Sequence, residues 1–171
     1  MFRLLSSIIG LIVIGAVVGG AGLLYVLYTY GQDLPDYRQL ANYEPPVMTR
    51  VHAGDGRLLA EFARQKRVFV PIEAIPKRVI KAFLSAEDKT FYEHPGIDIP
   101  GVIAAALRNL KNIGSDRRPQ GASTITQQVA KNFLLTNEVS IERKIKEAIL
   151  AFRIERAFSK DRILELYLDE I

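Results

Sequence analysis

No cysteine occurs among the 171 residues, so the chain has no disulfide framework, no thiolate zinc site and no cysteine nucleophile. Histidine is scarce as well. His52 and His94 are the only two, which argues against a multi-histidine metal site. There is no internal repeat and no low-complexity tract, which removes solenoids and arrays from consideration. The most telling absence is local: from Leu4 to Gln32, 29 consecutive residues carry no charged side chain. As a helix that run would extend about 43 Å at about 1.5 Å per residue, against roughly 30 Å of bilayer hydrocarbon.

Residues 1–32 therefore read as a cytoplasmic start followed by a single membrane anchor. The α-amine and Arg3 supply the only charges on the amino-terminal side, and Tyr25, Tyr28 and Tyr30 cluster where the far interface falls. The alternative is a cleaved signal peptide, since small residues between Ala16 and Ala21 could serve a peptidase. The run is too long for the roughly 7 to 15 apolar residues of such a leader. A single pass through the cytoplasmic (inner) membrane, with the amino terminus inside, puts everything from Asp33 onward on the periplasmic or extracellular side.

What is present fits one ordinary domain with a short appendage: 49% of residues are hydrophobic and 25% charged. A net charge of +4 suits an anionic partner such as lipid phosphate, pyrophosphate or nucleic acid. Residues 33–46 hold three prolines and read as a tether. Residues 47–71 read as a small β element of two or three strand-like runs, "VMTRVHA", "RLLAEFA" and "KRVFV", with Gly54-Asp55-Gly56 as hairpin turn chemistry between the first two.

From 72 to 171 the pattern is helical. Helices are expected from Pro76 to about Lys89, Asp98 to about Asn112, Ser123 to Leu135, Ser140 to Phe158, and Ser159 to the end. Asp98, Ser123, Ser140 and Ser159 stand as caps before apolar-periodic runs. Asn112 to Gly121 breaks the pattern as a basic loop. No stop signal follows "ILELYLDEI", so the helical domain is expected to be incomplete at its carboxyl end.

The stretch "SAEDKTFYEHPG", Ser85 to Gly96, carries the sharpest question. With about 100° of turn per residue, Glu87 falls roughly 80° round from Val79, between Phe83 and Leu84 in the apolar stripe. A carboxylate held there is desolvated, which disfavours its charged form and suits it to proton transfer. A solvated, frayed helix end is the plainer account. Asp88, one step further round, points away from the centre of the stripe. His94, before a proline, reads as a packing or hydrogen-bonding residue rather than a base or ligand.

In "QGASTITQQVAKNF", Thr124, Gln128 and Lys131 share one helix edge at i, i+4 and i+7, opposite Ile125, Val129 and Phe133. A helix start with free N–H groups beside a hydroxyl, an amide and an ammonium can hold a phosphate or diphosphate. A solvated face capped by Ser123 is the alternative. In "SIERKIKEAILAFRIERAF", Glu147 heads an apolar stripe and needs partners if buried. Arg143, four residues earlier, can reach it, either in a site or as a structural salt bridge.

Four stretches in order resemble the motifs of the glycosyltransferase family 51 domain of class A penicillin-binding proteins, closest to the 1A type. "EDKTFYEHPG" is similar to the first motif, Glu-Asp-x-x-Phe-x-x-His-x-Gly; "GASTITQQVAKN" to the second; "RKIKE" to the third; "KDRILELYLD" to much of the fourth. Asp169 stands where the family usually has Asn, and the fifth motif and the transpeptidase signatures Ser-x-x-Lys and Lys-Thr-Gly do not occur. The resemblance implies a mainly α, lysozyme-like glycosyltransferase domain whose segment Asp98 to Gly121 lies near the membrane. It implies lipid II and the nascent glycan strand as partners, with the cytoplasmic membrane, room for envelope regulators and no nucleic acid.

By the same resemblance, Glu87 is the catalytic base and Asp88 orients the site. Lys131 and Arg143 stabilise the diphosphate, with hydrogen bonds from Thr124, Gln127 and Gln128. Glu147 orders the cations Arg143 and Lys131 or holds a divalent ion, Mg2+ or Mn2+, although no ligand set in the sequence demands one. Two other readings stay open: a lysozyme-like glycan hydrolase and a non-catalytic membrane-anchored scaffold.

Overall fold

The computed structural model describes residues 2–43, 49–62, 69–114, 121–136 and 138–170. Helix α1, Phe2–Gly31, is followed by a 3₁₀ turn at Tyr37–Asn42 and two strands, β1 at Thr49–His52 and β2 at Leu58–Phe62. After a 3₁₀ turn at Ile72–Ala74, the described residues hold five further α-helices: α2 Lys77–Glu87, α3 Ile99–Lys111, α4 Ile125–Leu134, α5 Ile141–Ala157 and α6 Lys160–Glu170.

Within α1, Ile9–Gly31 is long and apolar enough to cross a membrane, with a mean hydropathy of 2.3 over its most apolar stretch, no residue of which is fully buried. At its carboxyl end α1 meets α5, where Arg153 Nη2 donates to the Gly31 carbonyl at 3.1 Å. That contact satisfies one of the carbonyls a helix end leaves unpaired. The tether does not hang free in its described part: Leu40 is buried in the domain core, and Arg162 Nη2 donates to its carbonyl at 3.2 Å.

The strands pair antiparallel, with Arg50 opposite Glu61 and an irregular register between Val51 and His52. Gly56, at φ +84, makes the turn. Of the third strand-like run, Phe69 and Val70 are not in a strand, and residues 66–68 lie outside the described residues.

The core sits among α4, α5 and α6. Ile125, Val129, Ala130, Leu150, Ile154, Ile163 and Leu164 are all buried, which follows from the three-and-four spacing of apolar residues in each helix. The helices begin and end within a residue or two of their sequence boundaries. Asp98 caps α3 by accepting from Gly101 N–H at 2.9 Å, and Ser140 caps α5 by accepting from Arg143 N–H at 3.1 Å. One cap is corrected. Thr124 caps α4, not Ser123, because Thr124 and Gln127 form a reciprocal capping box.

Candidate active site

Helix α2 stops at Glu87, and Asp88 leaves it with non-helical backbone, φ −157 and ψ 82. The turn swings the Asp88 side chain inward. Its carboxylate accepts the backbone N–H of Ile125 at 3.1 Å and contacts His94 Nε2 at 3.0 and 3.1 Å. Gly96 N–H donates to His94 Nδ1 at 3.2 Å, so Nδ1 is the acceptor and the proton facing Asp88 is on Nε2. Asp88 is thus buried, which corrects its expected outward placement. His94 is the hydrogen-bonding residue it was expected to be.

Glu87 is exposed, so the expected desolvation of its carboxylate is also corrected. It is not loose in solvent. Gln128 Nε2 donates to Glu87 Oε2 at 2.9 Å, and Glu87 lines a groove of about 430 Å³ together with Lys89, Arg108, Ser123 and Thr124. The groove therefore holds an exposed carboxylate tied to a helix amide, with Lys89, Arg108 and the half-buried cap Asp98 also in its lining. Tyr167 lies near enough to feel Glu87: burial first, and the Glu87 charge second, push its phenol above its ordinary value.

The start of α4 is largely satisfied from within, which corrects the expectation of free N–H groups for a phosphate. Ile125 N–H goes to Asp88, Gln127 N–H to Thr124 Oγ1 at 3.2 Å and Gln128 N–H to the Thr124 carbonyl at 3.0 Å. Thr124 N–H goes to Gln127 Oε1 at 3.0 Å, and Thr124 Oγ1 donates to the Gly96 carbonyl at 2.6 Å. Thr124 and Gln127 are thereby committed to building the site. Of the proposed polar edge, Gln128 faces Glu87, and Lys131, a half-buried residue, has no hydrogen-bond or ion-pair partner among the described residues.

Glu147 is 1% exposed and fully paired. Arg143 Nη1 donates to one of its oxygens and Lys144 Nζ to the other at 2.5 Å. The ion pair with Arg143 is as the spacing indicated, but the second cation is Lys144 in place of Lys131. With both oxygens occupied by cations, the residues present do not fit a divalent ion held by Glu147. Lys144 Nζ also donates to Ser123 Oγ at 3.0 Å, which links Glu147 to the groove wall. Arg143 itself lines a separate cleft with Glu138 and Lys146.

A second buried network braces the floor. Lys160 Nζ donates to the His94 carbonyl at 2.7 Å and to Glu155 Oε1 at 2.8 Å, and lies 4.4 Å from the Phe91 ring centroid. Thr126 Oγ1 donates to the same Glu155 oxygen at 2.5 Å. The turn after α2 and the first turn of α4 are thus clamped through α5 and α6. Of the residues singled out from sequence, Glu87, Asp88, Thr124 and Gln128 come together. Lys89, Arg108, Lys144 and Tyr167 were missed. The Lys144–Glu147 spacing, one helical turn, was the signal for one of them.

The domain is mainly helical and brings an exposed carboxylate and two cations to one open groove, and the chain belongs to the Transglycosylase family, which matches residues 55–171. Among individual proteins, the chain is 54% identical to penicillin-binding protein 1A of Rickettsia conorii over 99% of its length, covering 22% of that protein. It is 44% identical to penicillin-binding protein 1A of Aquifex aeolicus, covering all of this chain and 23% of the relative. It is also 44% identical to that of Escherichia coli K12, covering 89% of this chain and 18% of the relative. The chain therefore spans about a fifth of the length of these relatives.

Proposed function

We propose that the protein is a peptidoglycan glycosyltransferase that polymerises lipid II into β-1,4 glycan strands, with inversion and release of undecaprenyl diphosphate. The observation that carries this reading is Glu87, held by Gln128 in the lining of a groove that also includes Lys89 and Arg108. Family membership supports it. The protein is anchored by α1 in the cytoplasmic membrane with its amino terminus inside, and α3 rests on the outer leaflet through exposed Ile99, Val102, Ile103, Leu107 and Leu110.

In the reaction, the 4-hydroxyl oxygen of the acceptor sugar attacks the anomeric carbon of the growing strand. The bond from that carbon to the diphosphate oxygen breaks, and its electron pair leaves with the diphosphate. Glu87 takes the hydroxyl proton. Lys89, Arg108 and Lys131 stabilise the departing negative charge, which needs no protonation. Asp88, Thr124 and Gln127 act behind these groups by fixing the start of α4, and Glu147 orders Arg143 and Lys144. The route needs no covalent intermediate and no step through a metal.

Labelled lipid II supplied to the complete protein tests this. Glycan polymers and free undecaprenyl diphosphate are the expected products. Cleavage of preformed glycan without polymerisation would favour the hydrolase reading, and neither activity would leave the scaffold reading.

A further inference from the structure

Away from the Glu87 groove, and sharing no lining residue with it, a cleft of about 590 Å³ opens between α1 and α5. Its volume is in the range of pockets that take small ligands. Leu23 and Leu27 of α1 and Ile149 and Phe152 of α5 give it an apolar interior, and Arg153 and Arg156 also line it. No Asp or Glu lines it. We propose that this cleft binds an anionic phospholipid, with an acyl chain between α1 and α5 and its phosphate on Arg156.

The inference rests on the reading of α1 as a membrane anchor and goes beyond the glycosyltransferase reaction. Three observations support a lipid as the occupant. The α1 wall lies within the last turns of a membrane-length helix: Leu23 is about 12 Å below Gly31 at about 1.5 Å per residue. That depth runs from hydrocarbon to headgroup, in the same zone as Tyr25, Tyr28 and Tyr30. Second, Arg153 is fixed at the end of α1 by its bond to the Gly31 carbonyl, which sets a cation at the interface.

Third, Arg156 lies over the Phe152 ring, 5.7 Å from its centroid, and has no carboxylate partner among the described residues. A guanidinium stacked on a ring keeps its fork of donors free for a phosphate. Two cations without an acid favour an anion over a zwitterion, and an apolar floor beside them favours an anion that carries a hydrocarbon chain.

Native mass spectrometry of the complete protein, released from nanodiscs of equal phosphatidylglycerol and phosphatidylcholine, tests the proposal. One phosphatidylglycerol retained per chain is expected. Arg156→Gln, at an exposed position, should lower that retention roughly tenfold, and Phe152→Ser should lower it as well. Equal retention of the two lipids, unchanged retention in both variants, or a protein helix found in the cleft would overturn it. Alkaline carbonate extraction separates the two readings. Release of the protein from membranes sinks the anchor and the lipid site together, whereas integral insertion without phosphatidylglycerol preference sinks the lipid site alone.

Discussion

The backbone N–H of Ile125 donates to the carboxylate of Asp88 at 3.1 Å, joining the end of α2 to the first turn of α4. Glu87 and Gln128 flank this junction, so their own bond at 2.9 Å depends on it. Asp88 therefore acts on the site from behind, by holding the accessible carboxylate next to it in register with α4.

Asp88→Ala leaves the Ile125 N–H and the His94 Nε2 proton buried without an acceptor. At about 1–3 kcal/mol for each unsatisfied group, the expected loss is roughly 2–6 kcal/mol in denaturant unfolding of the complete protein. Polymerisation should fall by about a hundredfold, because a misplacement of the order of 1 Å at Glu87 is enough for that.

Gly96 sits at φ +93, and a Cβ there would lie 2.9 Å from both the Ala151 carbonyl oxygen and Glu155 Cγ. Gly96→Ala combines an unfavourable backbone conformation with a clash against α5, for an expected cost of about 2–4 kcal/mol. Calorimetry should show the loss, with polymerisation reduced alongside it through the Thr124 bond to the Gly96 carbonyl.

Tyr167 sets an alkaline limit. Burial and then the Glu87 charge raise its phenol above the ordinary value of 10.0, so the folded protein favours the neutral form. Its contribution to stability is complete below pH about 10 and is lost as the pH rises through the higher folded value. Unfolding measured from pH 9 to pH 11 should show a shallower decline for Tyr167→Phe than for the native protein.

Much of the fold was legible because α4, α5 and α6 bury one face each, and apolar spacing reports that directly. Asp98 and Ser140 could be read as caps for the same local reason. Asp88 departs from the helical projection because α2 ends at Glu87 and Asp88 already has non-helical backbone, φ −157 and ψ 82. Glu87 is the last residue of α2, a helix with no fully buried residue, so a place in its apolar stripe does not bury the carboxylate. The cap of α4 was legible in principle, since Thr124-Ile-Thr-Gln127 has capping-box spacing. Its consequence, that the N–H groups are already used, depends on Asp88 arriving from 37 residues away. Lys89 and Arg108 are 19 residues apart in the chain, and only the folded structure brings them to the same groove.

The central claim is that Glu87 takes a proton from the acceptor sugar, and Glu87→Gln in the complete protein tests it most directly. The amide keeps an oxygen for the Gln128 bond but cannot serve as the base. With lipid II binding within about threefold of the native value, the turnover number should fall by about 10²–10⁴. Native turnover by Glu87→Gln would contradict the account.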